Sequence, residues 1–405
     1  MNYESLKHKK IIYYLAKKII RFVRKLLRLP HLYYLKPEVH REILRVGFIV
    51  QLPAIWDKQI DVYNELITRD NVEVFIFAVP QYNWDSGKPE GEVDSFFKDL
   101  YPDLIDVSKM KNIIEEFKGY KIDYLFYPRP YDHYLPTELR SETLYKFVSC
   151  CYIPYGMSGS DVFNDTNIYS PFFDNMSIIY MDSPAQYELM KNRYRISCLF
   201  GKKKVLYLGY PVLYKYLSDS YKQNETCITW TPRWSVDPKI GFSSFLDYAE
   251  DFLEFVKNIN CACVFRPHPL MFDELIEKKI ITLEYKEYYL KQLSKYNVLY
   301  DIKTPIDEII KNTSILITDY SSIIAQYFLT GKPMIYCDKG MKLNRTFKEM
   351  IELNYIASNK NDLKKYLTNL MNDKDFRKDS RNKYIQNNFS NMNNPSVNIV
   401  NDLIG

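Results

Sequence analysis

Two series of apolar runs, each broken by amphipathic stretches, organise this chain. In the first series Arg45-Val46-Gly47-Phe48-Ile49-Val50 reads as a strand, and a helix follows through residues 61–67. Val72–Val79, Ile122–Tyr127 and Phe147–Ile153 read as further strands, with helical stretches around Met110–Phe117 and Glu138–Tyr145. A second series opens at Cys227-Ile228-Thr229-Trp230. It continues through Cys261–Phe265, Asn297–Tyr300, Ser314–Thr318 and Met334–Tyr336. Strands that alternate with helices require right-handed crossovers and a mostly parallel sheet. The pattern therefore predicts two α/β domains of Rossmann-like type facing each other across a cleft. Ligands of such sheets sit beyond the carboxyl ends of the strands.

Residues 41–220 are expected to form the first domain and 221–405 the second. The join is placed in the polar, turn-rich stretch between about Tyr214 and Glu225. A length of 405 residues with 46% hydrophobic content suits two cores. The tail from Asp373 reads as helical and then loosely ordered, with Asp373-Lys374-Asp375 solvated.

Charge adds a third part. Residues 1–37 carry ten lysines and arginines against the single Glu4, a net +9, which leaves −4 for the remainder of a chain whose total is +5. From Ile11 to Leu29 apolar residues recur at helical spacing while cations fill most other positions. The segment is too charged to span a bilayer, and it lacks the small-residue cleavage site of a signal peptide. Residues 1–40 are expected to be a basic amphipathic arm whose residues 6–29 lie on an anionic membrane surface, at about 1 kcal/mol per cation. That would place the protein at the cytoplasmic face of the cell membrane, peripherally. A helix packed on the protein itself is the plainer reading. Nucleic acid is not expected as a partner, because the remainder is acidic. Seven cysteines form neither a C-x-x-C pair nor a secretory framework, and they are assigned no chemistry.

The candidate chemistry lies at strand ends of the second series. Ile315-Leu316-Ile317-Thr318 runs into Asp319-Tyr320-Ser321-Ser322, and a helix starting near Ser321 would aim backbone N–H groups and two hydroxyls at an anion. Ordinary helix capping by Asp319, Ser321 and Ser322 is the bland alternative. Upstream, the strand ending at Phe265 delivers Arg266 and, between two prolines, His268. Arg233, in Thr231-Pro232-Arg233-Trp234, offers another cation at the same edge, or is stacked between Trp230 and Trp234. Together these residues suggest a diphosphate-bearing donor. No acidic pair at a strand end reads as a metal site, and no cofactor is expected.

Thr-Pro-Arg-Trp at 231–234, Arg-Pro-His-Pro at 266–269 and Thr-Asp-Tyr-Ser-Ser…Gly-Lys-Pro at 318–333 resemble, in order and spacing, the CDP-glycerol glycerophosphotransferase family of teichoic acid primases and polymerases. The resemblance implies a GT-B architecture, a CDP-alcohol donor, no metal, peripheral membrane attachment and transfer of a polyol phosphate to a lipid-linked or glycan acceptor, releasing CMP. It implies that Arg266, His268, Asp319, Ser321 and Ser322 surround the donor, with His268 as a catalytic group. Many family members carry a Trp-His-Gly-like motif in the first domain, whose histidine is the proposed base. The corresponding place here reads Tyr152-Ile153-Pro154-Tyr155-Gly156-Met157, so His133 is the substitute expected, with Asp57 second. A nucleotide-sugar glycosyltransferase on the same scaffold and a membrane-bound module without catalysis are the alternatives.

Overall fold

A computed structural model of the chain describes residues 42–83, 86–157, 159–160, 170–221, 227–237, 241–259, 261–390 and 394–405. The expected basic arm lies outside the described residues. Two compact units emerge; residues 154–157, 159–160 and 181–186 already belong to the second, and the chain passes to it for the last time at Leu206–Tyr207, ahead of the polar stretch at 214–225.

In the first unit the strands are β1 (Leu44–Val50), β2 (Val72–Ala78), the short antiparallel pair β3 (Gln81–Tyr82) and β4 (Pro89–Glu90), β5 (Ile105–Asp106), β6 (Tyr124–Tyr127), β7 (Ser149–Tyr152), β8 (Ile178–Tyr180) and β9 (Lys204–Leu206). Seven of them form one sheet in the order β5-β2-β1-β6-β7-β8-β9, every pair parallel. Helices cover both faces of such a sheet, so its inner strands are mostly apolar. Val46, Phe48 and Ile49 of β1 are fully buried. Gly47 suits the tight packing there, because a Cβ would sit 3.0 Å from side-chain carbons of both Leu125 and Phe77 and push them aside.

The second unit, mainly residues 207–405, carries β10 (Cys227–Thr231), β11 (Ala262–Phe265), β12 (Val298–Tyr300), β13 (Ile315–Thr318), β14 (Met334–Cys337) and β15 (Tyr355–Ala357). Their order is β12-β11-β10-β13-β14-β15, again all parallel. In chain order this is 3-2-1-4-5-6, the doubly wound dinucleotide-binding topology. Its switch point, where ligands of this fold bind, lies beyond β10 and β13. Helix Phe245–Val256 buries Phe245, Tyr248, Ala249, Phe252, Leu253 and Val256 at i, i+3, i+4 spacing against Trp230, Phe265 and Tyr289. That cluster fixes β10 and β11 from one side and so sets where their carboxyl ends project.

The sequence pattern found the long strands and β12 but not β3, β4, β5, β8, β9 and β15, each two or three residues long. The carboxyl-terminal expectation needs correction. Helices Lys378–Ile385 and Pro395–Ile404 pack back on the unit, the latter burying Ile399, Val400 and Leu403. Asp375 is not solvated. Its carboxylate pairs with the fully buried Arg381 and accepts the Tyr355 hydroxyl at 3.0 Å, while Arg381 Nε donates to the Gly331 carbonyl at 2.9 Å. Among the described residues no helix is long and apolar enough to cross a membrane.

Candidate functional site

Three loops meet at the switch point of the second unit, and backbone hydrogen bonds lock them together. As β11 ends, Arg266 N–H donates to the Trp230 carbonyl at 2.8 Å and His268 N–H to the Pro232 carbonyl at 2.9 Å. The loop after β10 is thereby tied to Arg-Pro-His-Pro. From the other side, the Asp319 carboxylate accepts Arg233 N–H at 3.0 and 3.1 Å and Ser244 N–H at 2.7 Å. The same loop is thus tied to β13 and to the start of helix Phe245–Val256. β11 and β13 flank β10, so their loops stand two strand spacings apart, roughly 10 Å.

Asp319 is fully buried and faces backbone donors. Burial pushes its carboxyl up to about 6, against the pull of the Ser244 and Arg233 N–H groups. Neither Asp319 nor Ser322 caps the helix that follows them through its side chain. That helix runs Ile323–Phe328, Ser322 being its exposed N-cap residue in helical conformation, and the Ser321 hydroxyl accepts the Ile323 N–H at 3.4 Å. Ser322 is thus the exposed residue of this turn, with its hydroxyl uncommitted to the helix cap.

Arg233 is 9% exposed. Its guanidinium lies 5.2 Å from the centre of the Tyr320 ring, which replaces the expected stacking between Trp230 and Trp234. Trp230 is instead a core residue, its Nε1–H donating to Ser244 Oγ at 3.2 Å. Gly241, at φ +86°, closes over Arg233, since a Cβ there would lie 3.0 Å from Nη1. Burial lowers the Arg233 pKa, and Asp319 opposes the shift. Arg266 pairs with Asp301 at 3.3 Å. Asp301 stands just past β12 and also accepts the N–H groups of Lys303 and Thr304.

His268 reaches the surface beside Trp234, ring centres 6.2 Å apart. Its Nδ1 accepts the Leu270 N–H at 3.2 Å, so the neutral ring carries its proton on Nε2. Desolvation by the surrounding protein, and then Arg233, hold the imidazole below the ordinary histidine range. At neutral pH the ring is an uncharged N–H donor within the electrostatic reach of the Arg233 guanidinium. Tyr336, at the end of β14, adds a buried hydroxyl without a hydrogen-bond partner among the described residues.

Sequence reasoning missed Tyr320, Gly241, Ser244, Asp301 and Tyr336. Asp301 immediately follows β12 and Tyr320 stands two residues past β13, the one signal that was available. Gly159 and Ser160 also belong to this unit. Asn344 N–H donates to the Gly159 carbonyl at 2.9 Å, and the Ser160 hydroxyl to the Lys342 carbonyl at 2.8 Å. They lie just past Tyr152–Met157, where the family histidine is missing.

His133 belongs to the first unit, in the short turn Asp132–Tyr134, its ring 4.5 Å from that of Tyr134. Burial lowers its pKa, with Arg129 and Arg140 contributing and Asp132 opposing. Asp132 anchors the turn by accepting Ser141 N–H at 2.8 Å and Ser141 Oγ–H at 2.5 Å. Asp57 ends helix Pro53–Trp56 and pairs with its neighbour Lys58 at 2.5 Å.

Residues 182–404 match the model of the CDP-glycerol:poly(glycerophosphate) glycerophosphotransferase family. The chain belongs to this family. It is accordingly a transferase of the glycerophosphotransferase type, and the three loops lie within the matched residues. No curated protein matches the chain. Solved structures share the fold at low identity. The UDP-GlcNAc 2-epimerase from Neisseria meningitidis bound to UDP-GlcNAc gives a TM-score of 0.57 at 13% identity, covering 89% of this chain and 100% of that one. The wall teichoic acid polymerase TagF gives 0.54 at 14% identity, covering 100% and 98%. The UDP-GlcNAc 2-epimerase from Methanocaldococcus jannaschii gives 0.54 at 13%, covering 89% and 99%. The expected fold class, two Rossmann-like α/β units of GT-B type, is therefore the observed one.

Proposed function

We propose that this glycerophosphotransferase moves glycerol phosphate, or a similar polyol phosphate, from a CDP-linked donor to a lipid-linked or glycan acceptor in teichoic acid synthesis, with release of CMP. The observation that carries the reading is the His268 ring, held by Leu270 with Nε2–H outward, beside Arg233 and Arg266 on one sheet edge. TagF has been soaked with CDPG, a donor of this class.

In the proposed reaction an acceptor hydroxyl attacks the phosphorus nearer the polyol. The new P–O bond forms as the bond to the bridging oxygen breaks, and that oxygen leaves with CMP. Phosphoryl transfer demands positioning and stabilisation of the departing charge. Arg233 and Arg266 stabilise the diphosphate, Ser321 and Ser322 orient it, and His268 Nε2–H donates to the leaving phosphate. Asp319 holds the loops in register. The acceptor proton goes to His133, whose lowered pKa keeps it neutral and able to accept. Asp57, already paired with Lys58, is the weaker base.

Incubating the protein with CDP-glycerol, CDP-ribitol and a panel of nucleotide sugars, and following CMP or nucleoside diphosphate, tests the reading. CMP release from a CDP-polyol, lost in His268→Ala, is expected. Turnover of nucleotide sugars alone would overturn it.

A further inference from the structure

Tyr336, near the carboxyl end of β14, carries a hydroxyl that the second unit itself does not use. Residues paired in parallel register share a face of the sheet, and Thr318 of β13 stands opposite both Thr231 of β10 and Tyr336. The three side chains therefore form a row across the switch point. Two of its hydroxyls are satisfied within the protein. Thr231 Oγ1–H donates to Thr318 Oγ1 at 2.8 Å, and Thr318 Oγ1–H donates to the Asp319 carbonyl at 3.0 Å. Tyr336 is 2% exposed, and its Oη has no hydrogen-bond partner among the described residues. Buried hydroxyls are almost always paired, and an open one at a ligand-binding edge points to a ligand.

The surroundings of the hydroxyl say which ligand. Burial raises the phenol pKa, Asp338 and Asp319 add to the rise and Arg233 opposes it, so the group is a neutral O–H donor at physiological pH. Asp319 already accepts the Arg233 and Ser244 N–H groups. Asp338 is exposed and accepts the Gly340 N–H at 2.9 Å. The Arg233 guanidinium is packed between the Tyr320 ring and Gly241. A neutral O–H and a guanidinium within electrostatic reach of each other suit an anion with several acceptor oxygens, which is the chemistry of a phosphate.

We propose that Tyr336 is a specificity-determining residue of the donor site: its hydroxyl donates to a non-bridging oxygen of the phosphate that carries the polyol, beside Arg233, whose guanidinium turns off the Tyr320 ring to admit it. Strand order sets which phosphate this is. β11, whose loop holds the His268 assigned to the leaving phosphate, and β14 lie on opposite sides of β10 and β13. Tyr336 thus meets the far end of the diphosphate. The inference rests on the donor reading above and sharpens it, since a nucleoside monophosphate lacks the second phosphate and gains nothing from Tyr336.

The test is calorimetry on the full chain with CMP, CDP and CDP-glycerol, for the unsubstituted protein and for Tyr336→Phe, which removes one oxygen and keeps the ring. CDP and CDP-glycerol should bind the variant about tenfold more weakly and CMP equally well. Urea unfolding without nucleotide should keep its midpoint, because no protein group loses a partner. Tyr327→Phe is the control. That ring is as deeply buried but faces Lys332, just before the start of β14, and its substitution should change no nucleotide affinity. Unchanged affinity of Tyr336→Phe for CDP and CDP-glycerol overturns the inference while the donor reading stands. A lowered midpoint with all three nucleotides weakened alike also overturns it, because the hydroxyl would then be structural. If the unsubstituted protein prefers neither CDP nor CDP-glycerol to CMP, the donor reading fails and takes this inference with it.

Discussion

Asp319 is a buried carboxylate whose hydrogen bonds come from backbone donors, and its consequences can be measured. Asp319→Asn replaces one acceptor oxygen by an NH2 group that must face Arg233 N–H or Ser244 N–H. With hydrogen bonds to a charged group at stake, a loss of about 2 kcal/mol in urea unfolding is expected, together with a fall in kcat as Arg233 moves. The pH dependence has a definite sign. Its folded pKa of about 6 lies above the ordinary 3.8, so the protonated carboxyl favours the folded state. That contribution is complete below about pH 4 and is lost as pH rises through 6, and the Asn variant should lack this slope. At His268, Ala should lower kcat about 10²- to 10³-fold, the effect of removing one preorganised donor, while Gln, which keeps an N–H, should restore part of it. Since burial, with Arg129 and Arg140, depresses the pKa of His133, the proposed base, the acid limb of kcat should fall below the ordinary histidine range of about 6.5 and be lost in His133→Ala.

At the level of elements, the candidate site was legible because strand ends in parallel sheets advertise themselves. Arg266, His268 and Arg233 each follow an apolar run, and the structure places all three on one edge. Asp319 was found by the same signal, but as a donor contact or a helix cap. Its observed partners, Arg233 N–H and Ser244 N–H, are 86 and 75 residues away in sequence, and no local pattern encodes such a contact. Short strands such as β8 and β15 were missed because three residues carry too little periodicity. Asp375 was read as solvated because its neighbours are polar, whereas its partner, Arg381, is a fully buried cation. That pairing is testable. Arg381→Met leaves Asp375 largely uncompensated and should cost about 3–5 kcal/mol in unfolding, without changing the KM for donor. Lys332, in the Gly-Lys-Pro segment, serves its element in a similar way. Its Nζ donates to the Ile310 and Lys311 carbonyls at 2.9 and 3.1 Å, at the end of helix Ile306–Asn312, so it is a helix cap and not a donor ligand.

Across the whole molecule, two doubly wound sheets in one chain divide the labour that the proposed transfer requires. In the proposed reaction the second unit would hold the donor at its switch point, and His133 of the first is the proposed base. Membrane attachment by the amino-terminal arm is a separate proposal. Deleting residues 1–30 should shift the protein from membrane to soluble fractions. Unchanged sedimentation of the truncated protein would exclude the arm. The central claim is that Arg233, Arg266 and His268 form one diphosphate-binding site. The most direct measurement is donor binding by calorimetry, with CDP-glycerol and CMP titrated into the unsubstituted protein and His268→Ala. The account predicts that CDP-glycerol binds more tightly than CMP and that the substitution removes most of this preference. Equal binding of the two nucleotides, indifferent to His268, would contradict it.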